Sequence, residues 1–94
     1  MTLVYRNAYE ITEDILDTMI ASGQQGTQIT YLLRQSNLPY KRLQSFISKL
    51  TQSNMITKVE MKGKKIFIIT DKGKVYLEEY KKFSKIAETF GLEL

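Results

Sequence analysis

No cysteine and no histidine occur among the 94 residues. Without cysteine there can be no disulfide framework, iron–sulfur cluster, thiolate zinc site or cysteine nucleophile. Without imidazole there is no Ser-His-Asp triad, no histidine-ligated metal and no ordinary general base at neutral pH, so an enzyme would have to work with carboxylates, lysine or tyrosine alone. The sequence therefore predicts a protein that is not an enzyme and carries no cofactor or metal. Long apolar runs are missing too. None approaches the roughly 18–20 residues of a membrane span, and Met1-Thr2-Leu3-Val4-Tyr5-Arg6 lacks the basic-then-apolar order of a signal peptide. A soluble, cytoplasmic protein with no membrane partner is expected. No repeat, low-complexity tract or linker divides the chain, and 43% hydrophobic residues are enough for one core without covalent staples.

Acids are absent from a long central stretch: none lies between Asp17 and Glu60. The formal charge of +4 is therefore unevenly spread. Residues 1–26 carry Arg6 against Glu10, Glu13, Asp14 and Asp17, a balance of −3. Residues 27–74 carry ten cations against Glu60 and Asp71, a balance of +8, and residues 75–94 return −1. A cationic centre between mildly acidic ends points to one face built for a polyanion.

Periodicity supplies the elements. Ile11, Ile15, Leu16, Met19 and Ile20 form a helical stripe, with a start expected near Glu10–Thr12 and an end at Gly23-Gln24-Gln25-Gly26. A second, shorter helix opens at Thr27 or Gln28, is carried by Ile29, Leu32 and Leu33, and closes at Ser36-Asn37. Leu38-Pro39 starts a third, whose apolar set is Leu43, Phe46, Ile47 and Leu50 and whose end is Ser53-Asn54. The period then falls to that of strands over Met55–Met61 and Ile66–Ile69, joined at Lys62-Gly63-Lys64-Lys65, which predicts a β-hairpin of open register. Thr70 caps a last helix running to about Phe90, where Gly91 stops it. The fold expected is mainly α with a β-hairpin (α+β), a winged helix-turn-helix of order α-α-α-β-β-α. Residues 1–74 form the winged helix and residues 75–94 the C-terminal helix of the same single domain.

In this arrangement the third helix is the one held out toward a DNA major groove. Its apolar side turns inward, which leaves Lys41, Ser45, Ser48 and Gln52 outward, flanked by Arg42, Gln44 and Lys49. Solvated helix surfaces normally mix both signs of charge, so a face of lysine, arginine, glutamine and serine fits phosphates and base edges. Gln44, Ser45 and Ser48 are neutral hydrogen-bonding groups able to read bases, and Lys49 with Gln52 reaches the backbone. Lys62, Lys64 and Lys65 give the hairpin the form of a phosphate-neutralising wing. Each signal has a plainer counterpart, a solvated basic helix and a solvated lysine-rich turn. Tyr40 either stacks on a sugar or packs over the turn.

The segments Thr27-Gln28-Ile29-Thr30-Tyr31, Leu38-Pro39-Tyr40-Lys41-Arg42-Leu43, Leu50 through Met55-Ile56, and Ile68-Ile69-Thr70-Asp71-Lys72-Gly73-Lys74 resemble those of archaeal winged-helix transcriptional regulators. They are also similar to small archaeal chromatin proteins built from a winged helix and a C-terminal dimerising helix. The resemblance spans about residues 10–90. It implies double-stranded DNA binding by the third helix and the wing, and dimerisation by the last helix. Asn54 stands where the family commonly has glycine, and asparagine tolerates the left-handed conformation that such a turn needs.

The last helix argues for a homodimer independently. Tyr76, Tyr80, Phe83, Ala87 and Phe90 follow alternating steps of four and three, the spacing of a helix seam, with Leu77 and Ile86 beside it. Val75, Tyr76 and Leu77 are expected to pack on the first helix, while Phe83 to Phe90 outrun the domain and need a second protomer to cover them. A folded-back helix completing a monomer is the alternative. Gly63-Lys64 and Gly73-Lys74 lack the spacing of a phosphate-binding loop, and the paired carboxylates Glu13, Asp14 and Asp17 read as solvated. No small-molecule ligand is expected. The rival function is a subunit-docking winged helix that meets an acidic protein partner without binding DNA; RNA binding lacks the interleaved aromatic platform it would need.

Overall fold

The computed structural model describes residues 7–91; the readings made on Met1 to Arg6 and on residues 92–94 lie outside them. Its elements run α1 (Ala8–Ser22), a 3-10 turn (Gly23–Gln25), α2 (Ile29–Ser36), α3 (Tyr40–Gln52), β1 (Ile56–Met61), β2 (Lys64–Ile69) and α4 (Asp71–Thr89). The order expected from the sequence is the order found. No helix among the described residues is long and apolar enough to cross a membrane.

α1 begins earlier than the expected Glu10–Thr12. The Asn7 side chain accepts the Glu10 N–H at 2.9 Å, satisfying one of the orphan amides at the helix start, and Glu10 falls in the first turn. Ile11, Ile15, Leu16 and Met19 are buried, whereas Ile20, at the edge of that arc, is exposed. Against them pack Leu32 of α2, Leu43, Ile47 and Leu50 of α3, Ile56, Phe67 and Ile69 of the hairpin, and Leu77 of α4.

Two asparagines make the tight joints. Asn37 ends α2 in the left-handed region at φ 55°, which lets α3 start at Tyr40, with Pro39 just before it, after a three-residue break. Asn54 follows α3 at φ 62°. There the Met55 N–H donates to the Leu50 carbonyl at 3.0 Å and the Asn54 N–H to the Thr51 carbonyl at 3.1 Å. This pair of bonds is the Schellman ending that glycine usually provides, so the turn expected to survive the Asn54 replacement does so.

The hairpin register left open by the sequence is Ile56↔Ile69 through Met61↔Lys64, closed by a two-residue turn. Lys62 and Gly63 both have positive φ, 51° and 75°, the requirement of a type I′ turn, whose twist matches that of the strands. Lys62 pays a steric cost there that glycine does not. Thr27 does not open α2. It pairs with β2 instead, through Thr27 N–H to the Phe67 carbonyl at 2.9 Å and Phe67 N–H to the Thr27 carbonyl at 2.8 Å, and Gln28 stands at the helix start.

α4 is tied to the end of α3. The Thr70 side chain accepts the Gly73 N–H at 3.1 Å, its hydroxyl donates to the Asn54 carbonyl at 2.6 Å, and its N–H donates to the Met55 carbonyl at 3.0 Å. A Cβ at Gly73 would collide with that same Met55 carbonyl, so glycine is what allows the helix to start so close. α4 then crosses α1: Leu77 is buried, the Tyr80 ring stacks on Tyr9 at 6.1 Å, and Lys81 Nζ meets Asp17 Oδ1 at 2.8 Å. Val75, expected on α1, is instead 59% exposed, because the inward arc of α4 is centred between Gly73 and Leu77 and Val75 lies on the opposite side.

Candidate nucleic-acid interface

With Leu43, Ile47 and Leu50 facing the core, α3 leaves Lys41, Arg42, Gln44, Ser45, Ser48, Lys49 and Gln52 all exposed. The hairpin supplies the facing wall. Directly paired residues of an antiparallel ladder share a face, so Ile56, Lys58 and Glu60 lie on the same side as Ile69, Phe67 and Lys65. The inner half of that face is core. Its outer half runs past the core and overlooks α3.

A recess of about 470 Å³ results, lined on the α3 side by Tyr40, Gln44, Ser48 and Gln52 and on the hairpin side by Lys58, Lys65 and Phe67. The structure thus brings together five of the sequence-derived candidates, Tyr40, Gln44, Ser48, Gln52 and Lys65. Lys41, Arg42, Ser45 and Lys49 are exposed on α3 without lining the recess. Lys62 sits at the turn, and Lys64 pairs with Met61 on the other face of the hairpin. Lys58 is the residue that the sequence candidates lacked. Its signal was the period of two from buried Ile56, but only a fixed register turns that period into a direction.

Among the described residues the ion pairs join Lys81 to Asp17 and Lys82 to Glu78 and Glu79. All of these lie on the α1/α4 side, and none engages a cation of α3 or the hairpin. The positive field over the recess is therefore uncompensated at short range, apart from Glu60 across the ladder from Lys65.

This pattern of three helices, hairpin and helix, with the second and third helices meeting at a left-handed Asn37, matches the family model for a winged helix-turn-helix over residues 5–88. The chain belongs to the winged helix-turn-helix family. α2 and α3 are its helix-turn-helix and the hairpin is its wing. Among solved structures it is similar to Sso10a-2, a DNA-binding protein from Sulfolobus solfataricus, at 26% identity and TM-score 0.75, over 90% of this chain and 85% of that one. It is similar to AF1382 from Archaeoglobus fulgidus at 26% identity and TM-score 0.68, over 84% and 89% of the two chains. SSV1 F-93 shares the fold at 16% identity and TM-score 0.59, over 96% and 97%. No curated protein matches the chain.

The seam candidates of this winged helix divide into two groups. Tyr76 and Tyr80 are half-buried in a stack with Tyr9, with centroids 6.1–6.2 Å apart, and Ala87 is buried within its own chain. Phe83 and Phe90 are 56% and 75% exposed, and Ile86 and Val75 continue the same outer stripe. Electrostatics differ here from the wing side. Burial first, and then the neighbouring Asp17, push the Glu13 carboxyl above its ordinary range, and burial raises the phenols of Tyr76 and Tyr80. The hydrogen bond to Asp17 raises the Lys81 ammonium. No group of three potential metal-ligating side chains occurs among the described residues.

Proposed function

We propose that this protein binds double-stranded DNA as a transcription regulator or a chromatin-associated protein of the cytoplasmic nucleoid. α3 enters the major groove, with Lys41, Arg42, Gln44, Ser45 and Ser48 toward base edges and nearby phosphates and Lys49 toward the backbone. Lys58, Lys62, Lys64 and Lys65 neutralise phosphates beside that groove. The observation that carries this reading is the recess between α3 and the wing, where Lys58 and Lys65 face Gln44, Ser48 and Gln52 with no ion pair of their own. Cations for phosphates and amide or hydroxyl groups for base edges are the side chains that duplex DNA accepts. The likeness to Sso10a-2, a DNA-binding protein, supports the same reading.

The proposed assembly is a homodimer through α4. Its seam runs along Phe83 and Phe90 with Ile86, flanked by half-buried Tyr76 and Tyr80, whereas Ala87, expected at the seam, is buried by its own chain and has no surface left to give it. Two-fold symmetry then spaces the two α3 helices for successive major grooves, roughly 34–36 Å apart. Sedimentation equilibrium is expected to give twice the chain mass for the wild type and the chain mass for the variant carrying Phe83→Ser and Phe90→Ser.

Fluorescence anisotropy on random duplex and on genomic fragments across a salt series tests the binding. The wild type is expected to bind with a steep salt dependence. The triple variant Lys41→Gln, Arg42→Gln, Lys49→Gln loses about three units of slope and roughly 100-fold in affinity at moderate salt. A wild type that ignores duplex at low salt overturns the reading and favours docking to an acidic protein partner.

A further inference from the structure

Between α1 and α4 lies a hollow of about 230 Å³ lined by Tyr9, Tyr76, Tyr80 and Phe83. On α4 these aromatics follow one another at steps of four and three, so they share one face of the helix. The tyrosine rings stand nearly parallel. Tyr9 and Tyr80 are inclined by 14° with centroids 6.1 Å apart, and Tyr76 and Tyr80 by 11° at 6.2 Å. Together they present a row of π faces, each carrying negative charge density above the ring. Tyr9 and Phe83 are more than half exposed, which leaves the hollow open to a ligand.

The charge around the hollow selects among ligands. Glu13 is close enough to raise the phenols of both Tyr76 and Tyr80, and Glu10 that of Tyr80. Neither carboxylate forms an ion pair among the described residues. An anion, including the phosphate of a stacked nucleotide, is repelled here, whereas a cation gains from the carboxylates and the ring faces together. The lysines that follow Tyr80 are held elsewhere, Lys81 by Asp17 at 2.8 Å and Lys82 by Glu78 and Glu79. A metal ion or a bare ammonium keeps its water tightly and needs oxygen ligands, which an aromatic lining supplies poorly. An alkylated ammonium carries its charge inside an apolar skin and suits such walls.

We infer that this hollow binds a methylated ammonium group, held over the faces of Tyr9, Tyr76, Tyr80 and Phe83 with Glu13 as its counter-charge. The group is the head of a small quaternary amine or the end of a methylated lysine side chain. The site lies on the α1 side of the Phe83–Phe90 stripe, and it rests on neither the DNA-binding reading nor the homodimer.

Titration of the full chain with tetramethylammonium chloride tests the site, read by the ring-current shift of the probe's methyl protons and by the tyrosine and phenylalanine ring signals. Tert-butanol, which has nearly the same shape and no charge, is expected to bind about tenfold more weakly. Tyr9→Leu weakens tetramethylammonium about fivefold, while Tyr9→Phe, which keeps the ring, binds as the wild type does. Tyr9 is exposed, so neither substitution touches the core. Glu13→Gln weakens the probe about threefold. A second titration uses N-acetyl-trimethyllysine amide. Tighter binding than tetramethylammonium assigns the site to a methylated lysine side chain, and equal or weaker binding assigns it to a free quaternary amine. Equal affinity for tert-butanol and tetramethylammonium overturns the site, because the hollow is then merely apolar. Silence of the wild type, or wild-type affinity in Tyr9→Leu, overturns it as well.

Discussion

The two sides of this molecule handle charge in opposite ways. On α1 and α4 carboxylates and lysines pair: Asp17 with Lys81 at 2.8 Å between the two helices, and Glu78 and Glu79 with Lys82 along α4. Around α3 and the wing the cations face outward and form no ion pair among the described residues, with Glu60 the one acid on the ladder beside them. The first arrangement contributes little stability, since exposed pairs such as these are worth about 0–1 kcal/mol. The second also contributes none; mutual repulsion costs a little. The difference teaches that the cations of α3 and the wing are not there to hold the fold, which is why they are read as an interface.

The sharpest way to break that contrast removes equal charge from each side. Lys58→Gln with Lys65→Gln is expected to cost about 2 kcal/mol of duplex affinity and about two units of salt slope, while Lys81→Gln with Lys82→Gln leaves affinity within twofold. Equal losses from both pairs, measured by anisotropy, would mean that net charge rather than position governs binding. Next comes the joint between the two sides. Gly73→Ala drives a methyl group into the Met55 carbonyl, a backbone atom that cannot swing away. It is expected to destabilise by about 2 kcal/mol in urea unfolding, and to lower affinity only as far as the folded fraction falls.

Smaller effects sharpen the picture. Lys62→Asn places at the first turn position a residue that favours positive φ, so stability should rise by about 0.5 kcal/mol, against a slight loss of duplex affinity. Glu13→Gln tests the acidic side. A carboxyl raised in the folded state keeps its contribution below its unfolded value and loses it as pH rises through the folded value. The variant should therefore be more stable than wild type at pH 7, with the gain fading toward about pH 4, where glutamate protonates in either state. Thermal melts at both pH values measure it.

Most of this architecture was legible in the sequence because α1, α2 and α3 each advertise one apolar stripe and end at a residue suited to left-handed backbone. The outward face of α3 followed from that stripe alone. Thr27 could not be read, because a single bridging residue has no period. Lys58 could not be read without the register, since one step of slip reverses every side chain of the strand. Val75 was misjudged because an apolar residue on a helix does not say which neighbour covers it, and α4 has apolar residues on two sides. Asn7 was passed over because its capping shows only once the chain direction before α1 is known.

The Thr27–Phe67 bridge gives the hairpin a graded stiffness. Up to Phe67 it is braced by the single Thr27 bridge and backed by core; beyond that point an unbraced two-stranded ribbon continues to the Lys62-Gly63 turn. Narrow ribbons have little rigidity of their own. In the DNA complex proposed above, such a hairpin is a firm grip with a compliant fingertip, which would follow grooves of unequal width while α3 keeps one angle.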